Sequence, residues 1–238
     1  LSSSQQDLVD LLTNKPWLIL LGIGFLTMMF NGIKYGVIAY YFKYFVGNEV
    51  LAGQYFAALL IVSIAGALAT RKLTNIFGRQ KLFIIALVAS GLLTGALFWV
   101  PQGNVLPVFV LGCGAEFFAA IMPTLFFSML GDAADFSEWK NGRRATGLVY
   151  SAGTFVQKTG GGFAGALVLV VLSAYGYDGM DQNTIANALP GMQWLMSWIP
   201  AAFAFLGALL MWFYPLSDRQ QQKITEELSQ RRASQCTV

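Results

Sequence analysis

Six long apolar segments constrain the fold of this chain more than any other feature. They cover residues 17–44, 50–70, 82–100, 105–130, 147–174 and 191–214. A helix needs about 20 residues to cross roughly 30 Å of hydrocarbon, so each segment is long enough to span a membrane. The composition agrees, because 56% of the residues are hydrophobic and only 11% are charged, whereas soluble domains carry roughly 25% charged residues. The sequence therefore predicts an all-α, polytopic membrane bundle of six transmembrane helices.

Proline and asparagine residues mark several helix ends. Asn14 before Pro16 is typical of a helix N-cap followed by a first-turn proline. Pro101 and Pro215 are predicted to end helices, and Pro190 is predicted to begin one. We therefore expect a polar, partly helical lead-in over residues 1–15, a bundle over 16–214, and a polar tail over 215–238 that begins as a helix.

The basic residues predict the orientation of the bundle. Three of the 15 lysines and arginines lie inside the predicted spans, at Lys34, Lys43 and Lys158, and six spans place all the others on one side. The opposite connections, near 46–50, 101–104 and 175–189, contain neither lysine nor arginine. Basic residues accumulate in cytoplasmic loops, so both termini are predicted to lie in the cytoplasm.

Polar residues on one face of the fifth span are the leading candidates for a binding site. Ser151, Thr154 and Lys158 follow helical spacing, and Gln157 lies beside them. A lysine at this depth costs a few kcal/mol unless it faces a cavity or a partner charge. Hydroxyl, amide and ammonium groups together suit a polyhydroxylated solute, so these four residues are predicted to bind substrate.

The first and fourth spans carry a second set of polar candidates. Asn31, Lys34 and Tyr35 share one face of the first span and are predicted to contact substrate. The alternative for Lys34 is a structural ion pair with an acid elsewhere. Glu116 is the acid deep in the fourth span, where it either pairs with a lysine, is protonated, or couples transport to a cation. Pro123 further along the same span predicts a kink.

The chain lacks the residues of common catalytic and metal sites. It contains no histidine, which excludes a histidine metal site or a Ser-His-Asp triad within these residues. Cys113 and Cys236 lack metal-ligand spacing. We expect neither an enzyme nor a resident cofactor, and the expected partners are a small solute and the lipid bilayer rather than a nucleic acid.

The charged stretch before the fifth span, together with that span, carries a family resemblance. The residues concerned are Asp132, Asp135, Glu138, Trp139, Lys140, Arg143, Arg144, Lys158 and Gly160. With the segments 40–47 and 71–81, they resemble the glycoside–pentoside–hexuronide:cation symporters, a family of the major facilitator superfamily. The resemblance extends over nearly the whole chain.

The resemblance implies a fold, and it implies which half of the transporter would hold each part of the binding site. Family members have twelve helices in two halves, and this chain resembles the C-terminal half, with residues 1–15 as the central cytoplasmic linker. The N-terminal six-helix half would be its partner and would hold most of the cation site and the main sugar-binding acids. Lys158 matches a buried lysine near both sites, and Thr154 matches a position close to the sugar. Pro123 departs from the family pattern, because the best-known member of the family has a tryptophan close to the sugar at this position.

The resemblance also implies a function. We expect symport of a sugar or glycoside, with room for an acidic sugar, together with Na⁺ or H⁺ across the bacterial cytoplasmic membrane. Lys158 and Glu116 are the predicted coupling residues. The stretch from Gly131 to Gly147 is predicted to be a loop that gates the cytoplasmic side through its charged residues Asp132, Asp135, Glu138, Lys140, Arg143 and Arg144. Alternatives are a carrier of a sulfonated solute or a lysolipid with the same fold, and a structural or regulatory membrane protein.

Overall fold

The computed structural model describes residues 3–235, and helices dominate this part of the chain. The helices are α1 (Ser3–Leu12), α2 (Lys15–Tyr40), α3 (Val50–Phe77), α4 (Arg79–Ala96), α5 (Val105–Ala119), α6 (Ile121–Asn141), α7 (Thr146–Ala174), α8 (Ile185–Met196), α9 (Trp198–Trp212) and α10 (Asp218–Gln235). A π-helical segment, Tyr41–Val46, extends α2, and 3₁₀ turns occupy Leu97–Trp99 and Gln182–Thr184. Asn14 caps α2 as predicted, because its side-chain oxygen accepts a hydrogen bond from the Trp17 amide at 3.1 Å.

These helices confirm the prediction of a six-span membrane bundle. Within the described residues, six continuous helical segments are long and apolar enough to cross a membrane. They are Lys15–Val46, Val50–Phe77, Arg79–Trp99, Val105–Asn141, Thr146–Ala174 and Ile185–Trp212. Two of them are built from paired helices, α5 with α6 and α8 with α9.

Two predictions of local structure were wrong, and one was right. The charged stretch from Gly131 onwards is helical as far as Asn141, and only residues 142–145 connect α6 to α7. Hydropathy detected the polarity of this stretch and not its helicity. Pro190 lies inside α8 rather than at its start, because the residues from Ile185 already form a first turn. The fourth span does break, at Ala120, and Pro123 lies in the first turn of α6.

Helices α2 and α7 run in the same direction and pack through small residues. A Cβ atom added at Gly32 would lie 2.6 Å from the Cβ atom of Ala164. One added at Gly160 would lie 2.9 Å from the carbonyl oxygen of Phe25. Neither position has room for a larger side chain, and the two contacts fix the axial register of the helices.

Both terminal helices dock at the same end of the bundle, beside the end of α6. Arg143, which follows α6, donates to Asp10 of α1 at 2.5 Å. Arg232 of α10 donates to Glu138 of α6 at 2.5 Å, and Ile224 of α10 is buried. The ends of the described chain therefore lie on one side of the bundle, as the span count predicted.

Candidate transport site

The predicted stripe on α7 lines an open cavity. Ser151, Thr154 and Lys158 line a cavity of about 500 Å³ together with Tyr150 and Phe155. All three stripe residues are exposed, so their polar groups reach the open face of the helix.

The cavity borders α6, and Gln157 lies beside it. The hydroxyl of Tyr150 donates to the carbonyl oxygen of Phe127 in α6 at 3.2 Å, and the two rings lie parallel at 8°. Gln157 is half-buried. Among the described residues, the Lys158 ammonium has no carboxylate within ion-pairing distance. Its positive charge is therefore uncompensated within this part of the chain.

Lys34 and Glu116 form an ion pair inside the bundle. The Nζ atom of Lys34 donates to Oε2 of Glu116 at 2.7 Å, and the two residues are only 1% and 4% exposed. The hydroxyl of Tyr35 donates to the other carboxylate oxygen, Oε1, at 2.7 Å. The geometry agrees with the ion-pair alternative for Lys34 and with the lysine-pairing alternative for Glu116.

Lys34 and Tyr35 share a face of α2 as predicted, since both contact Glu116, but the burial of Lys34 does not favour its predicted contact with substrate. Lys34 points into the bundle, so its ammonium is not presented to an open surface as a substrate ligand would be. Tyr35 is 36% exposed, and Asn31 is half-buried. The coupling role predicted for Glu116 stays a prediction, and its carboxylate accepts hydrogen bonds from Lys34 and Tyr35.

The α7 stripe and the buried pair lie at different depths. Ala164 packs against Gly32, which sets residues of α7 level with residues of α2. Tyr35 lies three residues beyond that contact, and Lys158 lies six residues before it. With a rise of 1.5 Å per residue, the separation along the helix axes is about 13 Å. The structure therefore does not bring the two sets of predicted binding residues together.

The predicted gating residues form ion pairs at the end of α6. Arg144 contacts Asp135 at 2.9 Å and Glu138 at 3.7 Å. Glu138 also accepts from Arg232 of α10 at 2.5 Å, and this hydrogen bond raises the pKa of the Arg232 guanidinium above its ordinary value. Lys140 is exposed and forms no ion pair within residues 3–235. The charged stretch therefore ties α6 to the connection before α7 and to the tail helix.

Arg79 adds a second group of ion pairs that the sequence prediction missed. Its guanidinium contacts Asp132 of α6 and, at 3.2 Å, Asp218 of α10. The Asp218 carboxylate also accepts from the Arg79 backbone amide at 3.0 Å, which caps the start of α4. Arg79 lies in the segment 71–81 that contributed to the resemblance, but nothing in the spacing indicated these partners.

A six-helix membrane bundle with charged groups at mid-span and a charged network at one end has the architecture of half a major facilitator superfamily transporter. A model of the family described as "MFS/sugar transport protein" matches residues 2–218, and the chain belongs to this family.

Three relatives illustrate the family. The chain is 26% identical to the putative glycoside/cation symporter YagG of Escherichia coli (strain K12), over 98% of this chain and 51% of that protein. It is 27% identical to the isoprimeverose transporter of Lactiplantibacillus pentosus, over 93% of this chain and 46% of that protein. It is 30% identical to the putative sulfoquinovose importer of Escherichia coli (strain K12), over 92% of this chain and 47% of that protein.

These similarities confirm the predicted family and fold. The chain spans about half the length of the curated relatives it matches. The names denote membrane transporters and not enzymes, in agreement with the prediction from the sequence. The chain is a multi-pass membrane protein.

Proposed function

We propose that this bundle is the C-terminal half of a secondary transporter that carries a sugar or glycoside together with Na⁺ or H⁺ across the bacterial cytoplasmic membrane. The partner would be a second six-helix bundle, which in the relatives would account for the length that this chain does not cover. The solute would bind near the middle of the membrane between the halves, and the halves would rock to give alternating access.

The observation that carries this proposal is the uncompensated charge of Lys158 on an open polar face. An ammonium inside a membrane span is costly without a counter-charge. Ser151 and Thr154 on the same face offer hydroxyl donors and acceptors, as recognition of a polyhydroxylated solute requires. We infer that carboxylates of the second bundle complete this site and link the solute to the cation.

A sulfonated or otherwise acidic sugar is the second candidate solute. One relative is named as a putative sulfoquinovose importer, and Lys158 would supply a positive charge to an anionic group. Lys34 does not support this candidate, because Glu116 already neutralises it. A lysolipid finds no specific support in the residues described.

Uptake by the full-length protein in proteoliposomes tests the function. The panel is radiolabelled isoprimeverose, methyl β-glucuronide and sulfoquinovose, each measured with an inward Na⁺ gradient, an inward H⁺ gradient and neither. We expect accumulation of at least one sugar that one gradient drives. Collapse of the gradient with an ionophore is the control. Absence of gradient-driven uptake across the panel would favour a structural or regulatory protein instead.

Labelling tests the proposed orientation, in which both termini lie in the cytoplasm. A cysteine placed at Lys140, in a background without Cys113 and Cys236, should react with an impermeant maleimide in inside-out vesicles. The same variant should stay unlabelled in intact cells. Reaction from outside the cell would reverse the proposed topology.

A further inference from the structure

Two aromatic rings, one on α2 and one on α3, form a stacked pair. The rings of Tyr35 and Phe56 are nearly parallel, at 9°, and their centroids are 6.2 Å apart. The residues are 36% and 39% exposed, although they lie within spans of the bundle. We propose that these two rings form an aromatic platform that binds the apolar face of a sugar ring. This inference rests on the proposed function, and it adds a residue of α3 that the sequence analysis did not single out.

The buried ion pair holds Tyr35 in place. Oε1 of Glu116 accepts from the Tyr35 hydroxyl, and Oε2 accepts from Lys34, both at 2.7 Å. The Lys34 ammonium also lies 5.1 Å from the centre of the Tyr35 ring, within the range of a cation–π contact. The hydroxyl and the ring are therefore both anchored to the same buried pair.

Stability alone does not account for such a pair. Replacing a buried ion pair by well-packed apolar residues is often neutral or stabilising, and charges inside a membrane span add to the cost. A carboxylate with a balancing ammonium does provide what an apolar contact lacks, which is a fixed acceptor for the tyrosine hydroxyl. We assign Lys34 and Glu116 as positioning residues, since both are buried, at 1% and 4% exposure, and act on the open face through Tyr35.

The platform suits a pyranose ring. One face of a pyranose carries mostly C–H groups, which pack on an aromatic ring while the hydroxyls reach polar neighbours. Asn31 is half-buried one helical turn from Tyr35 and supplies an amide. The charges of Lys34 and Glu116 cancel, so the platform recognises the shape of the sugar ring. Any preference for an anionic substituent comes from other residues of the site.

Accessibility of Phe56 tests the platform without requiring transport. The full-length protein carries Phe56→Cys in a background without Cys113 and Cys236 and is treated with a charged, impermeant maleimide in proteoliposomes. We expect labelling, because a platform that binds a sugar has to be open to water. Absence of labelling would place the ring in lipid or in a dry interface and overturn the inference, even if the sugar panel shows uptake.

Two double variants test the positioning role. Lys34→Met with Glu116→Gln removes both charges and keeps an acceptor for Tyr35, whereas Lys34→Met with Glu116→Leu removes the acceptor as well. KM and maximal rate are measured with the sugar of the panel that the wild-type protein accumulates fastest. We expect the KM of the leucine variant to be about tenfold higher than that of the glutamine variant, as for one lost hydrogen bond.

Tyr35→Phe completes the design. It should raise KM as much as the leucine double variant and add nothing when combined with it. Tyr44→Phe is the matched control, because its hydroxyl contacts Tyr177 at 3.2 Å at the end of the span, away from the platform. Equal KM values in the two double variants would overturn the positioning role. Failure of the wild-type protein to take up any sugar would instead count against the proposed function.

Discussion

Breaking the ion pair between Lys34 and Glu116 should destabilise the bundle strongly. The two side chains are only 2% and 6% exposed and meet at 2.7 Å. Glu116→Leu leaves a buried ammonium without its partner, and Lys34→Met leaves a buried carboxylate without its partner. Removing one partner of a buried pair costs about 3–5 kcal/mol of the free energy of unfolding. The double variant should recover most of this loss, to within about 1 kcal/mol of the wild type, because it leaves no unpaired charge.

The chain contains a matched pair for comparison. Lys43 and Glu49 consist of the same residue types, but they meet at 3.7 Å with side chains 53% and 68% exposed. An exposed pair of this kind contributes about 0–1 kcal/mol. A double-mutant cycle on each pair isolates the interaction energy, and only the buried pair should give a large value.

Reversible unfolding in mixed micelles provides the assay. The fraction of a denaturing detergent is raised, and the fluorescence of the six tryptophans reports the folded population. The free energy of unfolding is extrapolated to the native micelle for the wild type, both single variants and the double variant. An interaction energy for the buried pair below about 1 kcal/mol, equal to that of the exposed pair, would refute the reasoning.

Three further predictions concern packing, gating and coupling. Gly66→Ala should lower the melting temperature, because its Cβ would meet the carbonyl oxygen of Phe117 across the contact of α3 with α5, whereas Gly165→Ala has open space and should change little. Arg144→Ala removes ion pairs to α6 and should alter the maximal transport rate more than KM; a loss of apparent affinity at an unchanged rate would contradict this. Lys158→Ala should abolish gradient-driven uptake and Lys158→Arg should not fully restore it, since a planar guanidinium does not replace a compact ammonium; normal accumulation by the alanine variant would show that the lysine is dispensable.

The spans could be predicted because the hydropathy of each segment determines whether it crosses the membrane. A run of about 20 apolar residues is stable in hydrocarbon only as a helix, so hydropathy alone located all six. Local chemistry predicted the cap at Asn14, since an N-cap depends on residues within one turn. The charged helix from Gly131 to Asn141 escaped prediction because its acids are stabilised by distant partners, including Arg79 of α4 and Arg232 of α10.

The sequence limited the partner of Glu116 to a lysine inside the spans, but it did not identify which lysine. Glu116 stood out as a deep acid, and pairing with a lysine was an open alternative, with Lys34 and Lys158 both inside the spans. The choice between them depends on which helix faces are in contact, and a single sequence does not contain that information. For the same reason Phe56 looked like any other apolar residue of α3, and only its contact with Tyr35 distinguishes it.

The close contact between α2 and α7 bears on the order in which a solute would meet Tyr35 and Lys158. Gly32 and Gly160 bring the two helices into close contact, and in this packing the backbone levels of Tyr35 and Lys158 are about 13 Å apart. A solute that contacts both side chains at once must span the part of this distance that the two side chains do not cover. A solute too small to do so would reach the level of one residue before that of the other as it crosses the membrane.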